Sequence, residues 1–251
     1  MTLIGTLTTT TTLVPTARLV DALKVASTVT ALVPSDPDLD HLRSVQALYT
    51  PKGLSLIASD RYTVMHALVP FTDGVDEHTT SGQRAPERFM LTPEDVKAVI
   101  RAAGPRRAAH TTLTLTFRPG FGDGTLAVSY VPAPGKTSAP APTSLDVRVD
   151  DRGFPNLRSL LRNSLGGDLA PVVEGVVSLP MRNLSWVKGT QSVVGGGAVL
   201  RVFRVSENEV KPLVFTVGSW VSGLVMPASR GVLGAAEVES REAVAQALEA
   251  L

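Results

Sequence analysis

Residues 91 to 104 read Leu-Thr-Pro-Glu-Asp-Val-Lys-Ala-Val-Ile-Arg-Ala-Ala-Gly, and nearly every position argues for the same element. Thr92 suits a helix N-cap, because its hydroxyl can accept from an N–H group of the first turn that has no partner within the helix. Pro93 suits the first helical position, where a missing N–H costs nothing. Glu94 and Asp95 stand at the positive end of the helix dipole, and Gly104 supplies the stop. Between these signals Val96, Val99, Ile100 and Ala103 share one apolar stripe, while Lys97 and Arg101, four apart, lie on the opposite face. The segment predicts a helix with one face in a core and the other cationic.

Outward from this helix the chain changes to short alternating runs rich in valine, threonine and leucine, such as Leu113-Thr114-Leu115-Thr116-Phe117, which read as strands. Strands are expected near Thr112 to Arg118, Thr125 to Val131 and Ser144 to Val149, closing a unit over roughly 87 to 149. The same order of a strand, a helix and about three strands is legible on either side. One unit covers roughly 11 to 72, with a helix from about Thr16 to about Thr28 and strands near Val45 to Tyr49, Leu54 to Ala58 and Thr63 to Val69. Another covers roughly 171 to 228, with a shorter helix from Pro180 to Lys188 and strands near Ala198 to Val205, Leu213 to Val217 and Gly223 to Met226. A pattern repeat of about 65 residues results. Thr72 to Pro86 and the proline-rich Pro132 to Pro142 read as connectors, Thr8 to Thr12 as an edge strand or frayed end, and Asp150 to Gly167 as a domain junction. The expected division is a first domain of two units at 1–149 and an abbreviated second domain at 150–251. The latter ends in an amphipathic helical tail, Glu237 to Leu251.

Composition excludes several classes of function. With 43% hydrophobic and 19% charged residues in 251, the chain can bury a real core, and no run reaches the length of a membrane span. The N-terminus lacks the cationic start and cleavage site of a signal peptide, so the cytoplasm is the expected compartment. The absence of cysteine removes disulfides, thiolate nucleophiles and thiolate zinc sites. His41, His66, His78 and His110 form no metal-ligand pair, so no metal and no cofactor are expected. Net charge is only +1, which argues against a simple DNA coater but leaves room for cations gathered on one surface.

Three segments carry a resemblance. Leu54-Ser55-Leu56-Ile57-Ala58-Ser59-Asp60-Arg61-Tyr62-Thr63-Val64 resembles the strand and turn of bacterial DNA sliding clamps, in which an apolar strand ends in Ala-Thr-Asp. Val149-Asp150-Asp151-Arg152-Gly153-Phe154-Pro155 is similar to the clamp linker that ends in Phe-Pro before a new domain. Lys211-Pro212-Leu213-Val214-Phe215 followed by Leu224-Val225-Met226-Pro227 resembles the last hairpin of those clamps and their closing Val-Met-Pro. The likeness spans about residues 11 to 230, in the order of the later two-thirds of a bacterial clamp chain.

The resemblance implies an α+β fold in which helices line the hole of a ring and sheets form its outer wall. It implies a processivity factor without enzymatic activity, encircling duplex DNA without reading bases and holding a DNA polymerase and a clamp loader through short peptides. Carried over position by position, Arg18, Lys24, Lys97, Arg101, Arg106, Arg107, Arg182 and Lys188 are the DNA-facing candidates. The peptide cleft falls on Ser59, Asp60, Arg61, Tyr62, Thr63 and Val64, on Pro155 and Leu160, and on Leu224, Met226 and Pro227. Val64, Leu224 and Met226 have an equally good reading as ordinary core. This chain departs from the family in carrying Arg61 and Tyr62 where glycine and histidine are usual, and in running on to Leu251 well past Val-Met-Pro. The tail is expected to dock beside the cleft or at a subunit interface. Three units instead of four point to a shortened, virus-encoded clamp closing as a homo-oligomer, a trimer or tetramer. The alternative is a clamp-like module that never closes and binds or sequesters replication proteins.

Other motifs fail on context. Gly135-Lys136-Thr137 lacks the preceding glycine of a phosphate loop, since that place is Tyr130, and no helix is expected to follow. Gly120, Gly122 and Gly124 fall between two strands and read as a hairpin loop. Asp60, Asp150, Asp151 and His66 are better read as turn and strand residues than as an acid–base set.

Overall fold

The strand, helix, three-strand order recurs three times. A computed structural model describes residues 10–33, 35–72, 88–103, 112–119, 123–131, 142–149, 154–165, 170–171, 184–195, 199–204 and 212–226. The first unit is β1 (Thr10–Pro15), α1 (Thr16–Thr30), a 3₁₀ turn (Pro37–Arg43), β2 (Val45–Thr50), β3 (Gly53–Ser59) and β4 (Thr63–Val69). The second is β5 (Arg88–Leu91), α2 (Pro93–Ala103), β6 (Thr112–Pro119), β7 (Asp123–Tyr130) and β8 (Thr143–Arg148). After α3 (Leu157–Leu165) comes the third, β9 (Ala170–Pro171), α4 (Ser185–Val194), β10 (Leu200–Arg204), β11 (Leu213–Val217) and β12 (Val221–Val225).

The strands form one sheet of 12 in the order β1-β6-β7-β8-β5-β2-β3-β4-β12-β11-β10-β9, with antiparallel neighbours throughout. The first two units exchange their opening strands, β1 lying on β6 and β5 on β2. Units one and three meet where β4 pairs with β12, from Thr63↔Val225 to Ala67↔Val221.

Alternation along these strands sorts residues between two layers. Leu54, Leu56 and Ala58 of β3, Met65, Ala67 and Val69 of β4, and Leu213, Phe215 and Val217 of β11 enter the main core with α1, α2 and α4. The opposite parity, Ile57, Val64, Val214 and Leu224, enters a second cluster with Phe154, Leu157 and Leu161 of the α3 region, with Val33 and with Leu42 of the 3₁₀ turn. Cover on both faces explains why β3 is buried at every position. Three helices thus lie on one face of the sheet, with α1 in contact with both α2 and α4. A Cβ at Gly189 would come within 2.5 Å of Thr28 Cγ2, so glycine permits the close approach of α4 to α1. Trp186 of α4 stacks on Phe215 at 4.3 Å between ring centroids.

The cap of α2 is as the sequence predicts. The Asp95 amide donates to Thr92 Oγ1 at 3.2 Å, and the Thr92 amide donates back to Asp95 Oδ2 at 2.8 Å, a reciprocal capping box. Val96, Val99 and Ala103 are buried, with Ile100 packed at the margin. Three expectations change. The third unit's helix covers Ser185–Val194 and so runs past the expected end at Lys188, because Gly189 sits inside it close against Thr28 and termination falls to Gly195 at φ +106°; residues 180–183 lie outside the described residues. The Asp150 to Gly167 junction contains α3, capped by Asn156, whose Oδ1 accepts from the Ser159 amide at 3.2 Å. The edge strand reaches on to Pro15, with Thr8 and Thr9 outside the described residues. The tail Glu237 to Leu251 and the connectors 73–86 and 132–141 lie outside the described residues.

Candidate functional site: a cationic helix face and a cleft at the β4–β12 junction

The face of α1, α2 and α4 turned away from the sheet carries Lys24, Lys97, Arg101 and Lys188, all exposed. Among the described residues of these helices, the one exposed carboxylate is Glu94. Lys97 and Arg101 stand four apart on α2, one turn of a helix. Arg18 behaves differently from the other cations. It is half-buried, with its guanidinium carbon 4.3 Å from the centroid of a Trp220 ring, so part of its donor capacity is turned to the indole. The pair lines a crevice of about 480 Å³ with Pro15, Asp21, Pro70 and the two valines that end α4. Trp220 was not anticipated, and nothing local in the sequence marks it. Arg106, Arg107 and Arg182 lie outside the described residues.

The second feature begins at the turn between β3 and β4. Asp60 is 5% exposed, and its Oδ1 accepts from the amides of Tyr62 at 2.9 Å and Thr63 at 2.6 Å. Burial pushes its carboxyl above the usual range, against the opposing pull of those amides toward the charged form. Ser59 Oγ accepts from the Arg61 amide at 3.2 Å, and the Asp60 amide donates to the Thr63 carbonyl at 3.2 Å. This closed network holds Arg61 at φ +89°, a conformation that suits glycine and carries strain of about 1–2 kcal/mol in other residues. Arg61 is exposed and Tyr62 half-exposed. The Met226 amide donates to the Tyr62 carbonyl at 2.8 Å, which fastens the turn to the end of β12.

Around that seam the carried-over cleft positions divide. Val64 and Leu224 are 7% and 2% exposed, sealed beneath Leu157 and Leu161 of α3. Thr63 and Ser59 are also buried. Leu160 on α3 is 42% exposed and Met226 36%, and Pro155 is exposed at the start of the same segment. Pro227 lies outside the described residues. The structure therefore brings the turn, α3 and the end of β12 together and leaves Leu160 and Met226 as apolar surface there. Leu157 and Leu161, four apart, were missed by the sequence reading although their spacing and the Asn156 cap announce the helix.

Across the β3–β4–β12 junction His66 joins three strands. Its Nε2 lies 2.8 Å from Ser55 Oγ and its Nδ1 3.3 Å from Ser222 Oγ. Burial holds the imidazole below its ordinary range. No carboxylate stands in this chain of groups among the described hydrogen bonds, so it reads as a polar fastening of the seam.

No protein-family model matches the chain, and no curated protein matches it in sequence. Solved structures match it by shape. The β subunit of DNA polymerase III from Thermotoga maritima is similar at 11% identity and a TM-score of 0.53, covering 88% of this chain and 64% of that one. The β subunit from DNA polymerase of Streptococcus pyogenes is similar at 11% identity and a TM-score of 0.51, covering 89% and 67%. The DNA polymerase sliding clamp from Pseudomonas aeruginosa is similar at 12% identity and a TM-score of 0.51, covering 87% and 64%. In its helix and antiparallel-sheet architecture the chain has the sliding-clamp fold, over a span just under two thirds of the Thermotoga and Pseudomonas chains it matches.

Proposed function

We propose that the chain is a sliding clamp: a homo-oligomeric ring that encircles duplex DNA without sequence preference and tethers a DNA polymerase through the cleft at the β4–β12 junction. The observation that carries this reading is the charge of the helix face. Lys24, Lys97, Arg101 and Lys188 share it with one exposed carboxylate, while the overall charge is only +1. Cations spread along helices favour phosphate contacts, which hold the duplex yet permit sliding. The eight DNA-facing and eleven cleft positions named from the resemblance remain part of the proposal, with Arg18 assigned a lesser share because of Trp220, and with the buried Ser59, Thr63, Val64 and Leu224 assigned to the floor beneath the cleft and not to its surface. The proposed division is into two domains, 1–149 and an abbreviated 150–251.

Ring closure has support in the sheet. The last strand of unit one, β4, pairs from Thr63 to Ala67 with the last strand of unit three. The last strand of unit two, β8, is the counterpart of β4, and beyond β7 its pairing among the described residues is the single register Met90↔Arg148. Thr143 to Val147 thus offers an edge to a second copy, and closing a ring covers edges of this kind. A trimer or tetramer is the expected assembly.

Native mass spectrometry tests the reading, together with retention on DNA. A ring gives the mass of a closed oligomer, stays on nicked circular plasmid in high salt, and is shed when the plasmid is linearised. A monomer at working concentration, or equal retention on circular and linear DNA, overturns the ring and favours the open module that binds replication proteins.

A further inference from the structure

The turn at the cleft mouth carries a charge on a rigid mount. Arg61 is exposed, its backbone is locked at φ +89° by the Asp60 carboxylate and Ser59 hydroxyl, and no ion pair engages its guanidinium among the described residues. The turn is bonded to the end of β12 through Met226, so Arg61 stands at the seam where Met226 and, on α3, Leu160 leave apolar surface exposed. Asp60, the acid nearest in sequence, is buried in the turn with its Oδ1 engaged by two amides. The cation placed at this apolar surface is therefore Arg61, and no carboxylate pairs with it among the described residues.

Resting on the reading of this seam as a peptide cleft, we propose that Arg61 is a specificity-determining residue, and that the cleft selects partner segments with a carboxylate beside their apolar anchors. Strain at position 61 is evidence of position and of charge together. A glycine would satisfy the same backbone without strain, so an arginine there places a cation on an exposed, fixed position of the turn. The fixed backbone spares part of the ordering entropy that a charge on a loose loop has to lose on binding. Asp60 is the positioning residue for this charge, and Leu160 and Met226 supply the apolar contact, Met226 with the adaptability of a thioether.

The test uses fluorescein-labelled synthetic peptides with two leucine anchors, identical except for aspartate, asparagine or lysine beside them, titrated against the full chain by anisotropy. The aspartate peptide is expected to bind about 1.4- to 5-fold more tightly than the asparagine peptide and the lysine peptide about 1.4- to 5-fold less tightly, the range for an exposed charge pair. Arg61→Gly keeps the backbone conformation and removes the charge, and is expected to level the three affinities. Arg61→Glu is expected to reverse their order. An unchanged preference for aspartate in Arg61→Gly, or equal binding of all three by the wild type, overturns the role of Arg61 while leaving the cleft intact. Absence of binding by every peptide, with a folded protein by circular dichroism, overturns the cleft reading itself and the selectivity with it.

Discussion

Replacing Lys97 and Arg101 together by glutamine bears directly on the cationic face. Both side chains are exposed on α2 and point away from the stripe of Val96, Val99 and Ala103, so the change removes two charges without touching the core. Helix propensity is nearly conserved, because glutamine, lysine and arginine rank close together. If each cation neutralises one phosphate, the slope of log affinity against log salt becomes less steep by about 0.9 per phosphate, or about 1.8 for the pair. Raising salt fourfold, from about 50 to about 200 mM, multiplies that slope difference into about 12-fold in affinity. The wild type is therefore expected to lose about 12-fold more affinity than the double variant across that interval. Anisotropy with a labelled duplex oligonucleotide measures both slopes, and duplexes of two unrelated sequences should give the same values. Equal slopes for variant and wild type, with both proteins folded, would refute the placement of these side chains on phosphates.

Two further expectations concern the seam. Asp60→Ala leaves the Tyr62 and Thr63 amides without their acceptor and is expected to destabilise by about 2–3 kcal/mol, whereas Asp60→Asn keeps an oxygen at Oδ1, relieves the burial of charge, and should stay within about 1 kcal/mol of wild type by urea denaturation; equal losses would assign the turn to the charge instead. His66 has a folded pKa depressed by burial, so the unfolded chain binds the proton more readily: its contribution is complete above about pH 6.5 and is lost as pH falls through the lower folded value. His66→Gln is accordingly expected to gain on the wild type in urea midpoint as pH falls below about 6.5, and parallel curves would contradict the assignment.

Sequence and structure divide the molecule along a physical line. The α2 helix was legible because its cap, its dipole charges and its stripe are all specified within 13 residues of one another, and local hydrogen bonds need no distant partner. The β2, β3 and β4 strands were legible for a related reason, since alternation of side chains is a local property. The α3 helix was read as linker, because a helix of 9 residues is marginal by itself and is held by burying Leu157 and Leu161 against Val64 and Leu224. The same packing decided that Val64 and Leu224 are core and that Leu160 and Met226 are surface. Likewise Arg18 was grouped with Lys24 as a cation away from the apolar side of its helix until Trp220, 202 positions along the chain, was found beneath the guanidinium. From its residues alone this protein specifies its helices, its strands and the faces on which its cations stand, because those rest on spacing and capping between near neighbours. Only the tertiary structure decides which strands pair, which apolar side chains remain outside and which cation is already occupied, because those depend on groups brought together from opposite ends of the chain.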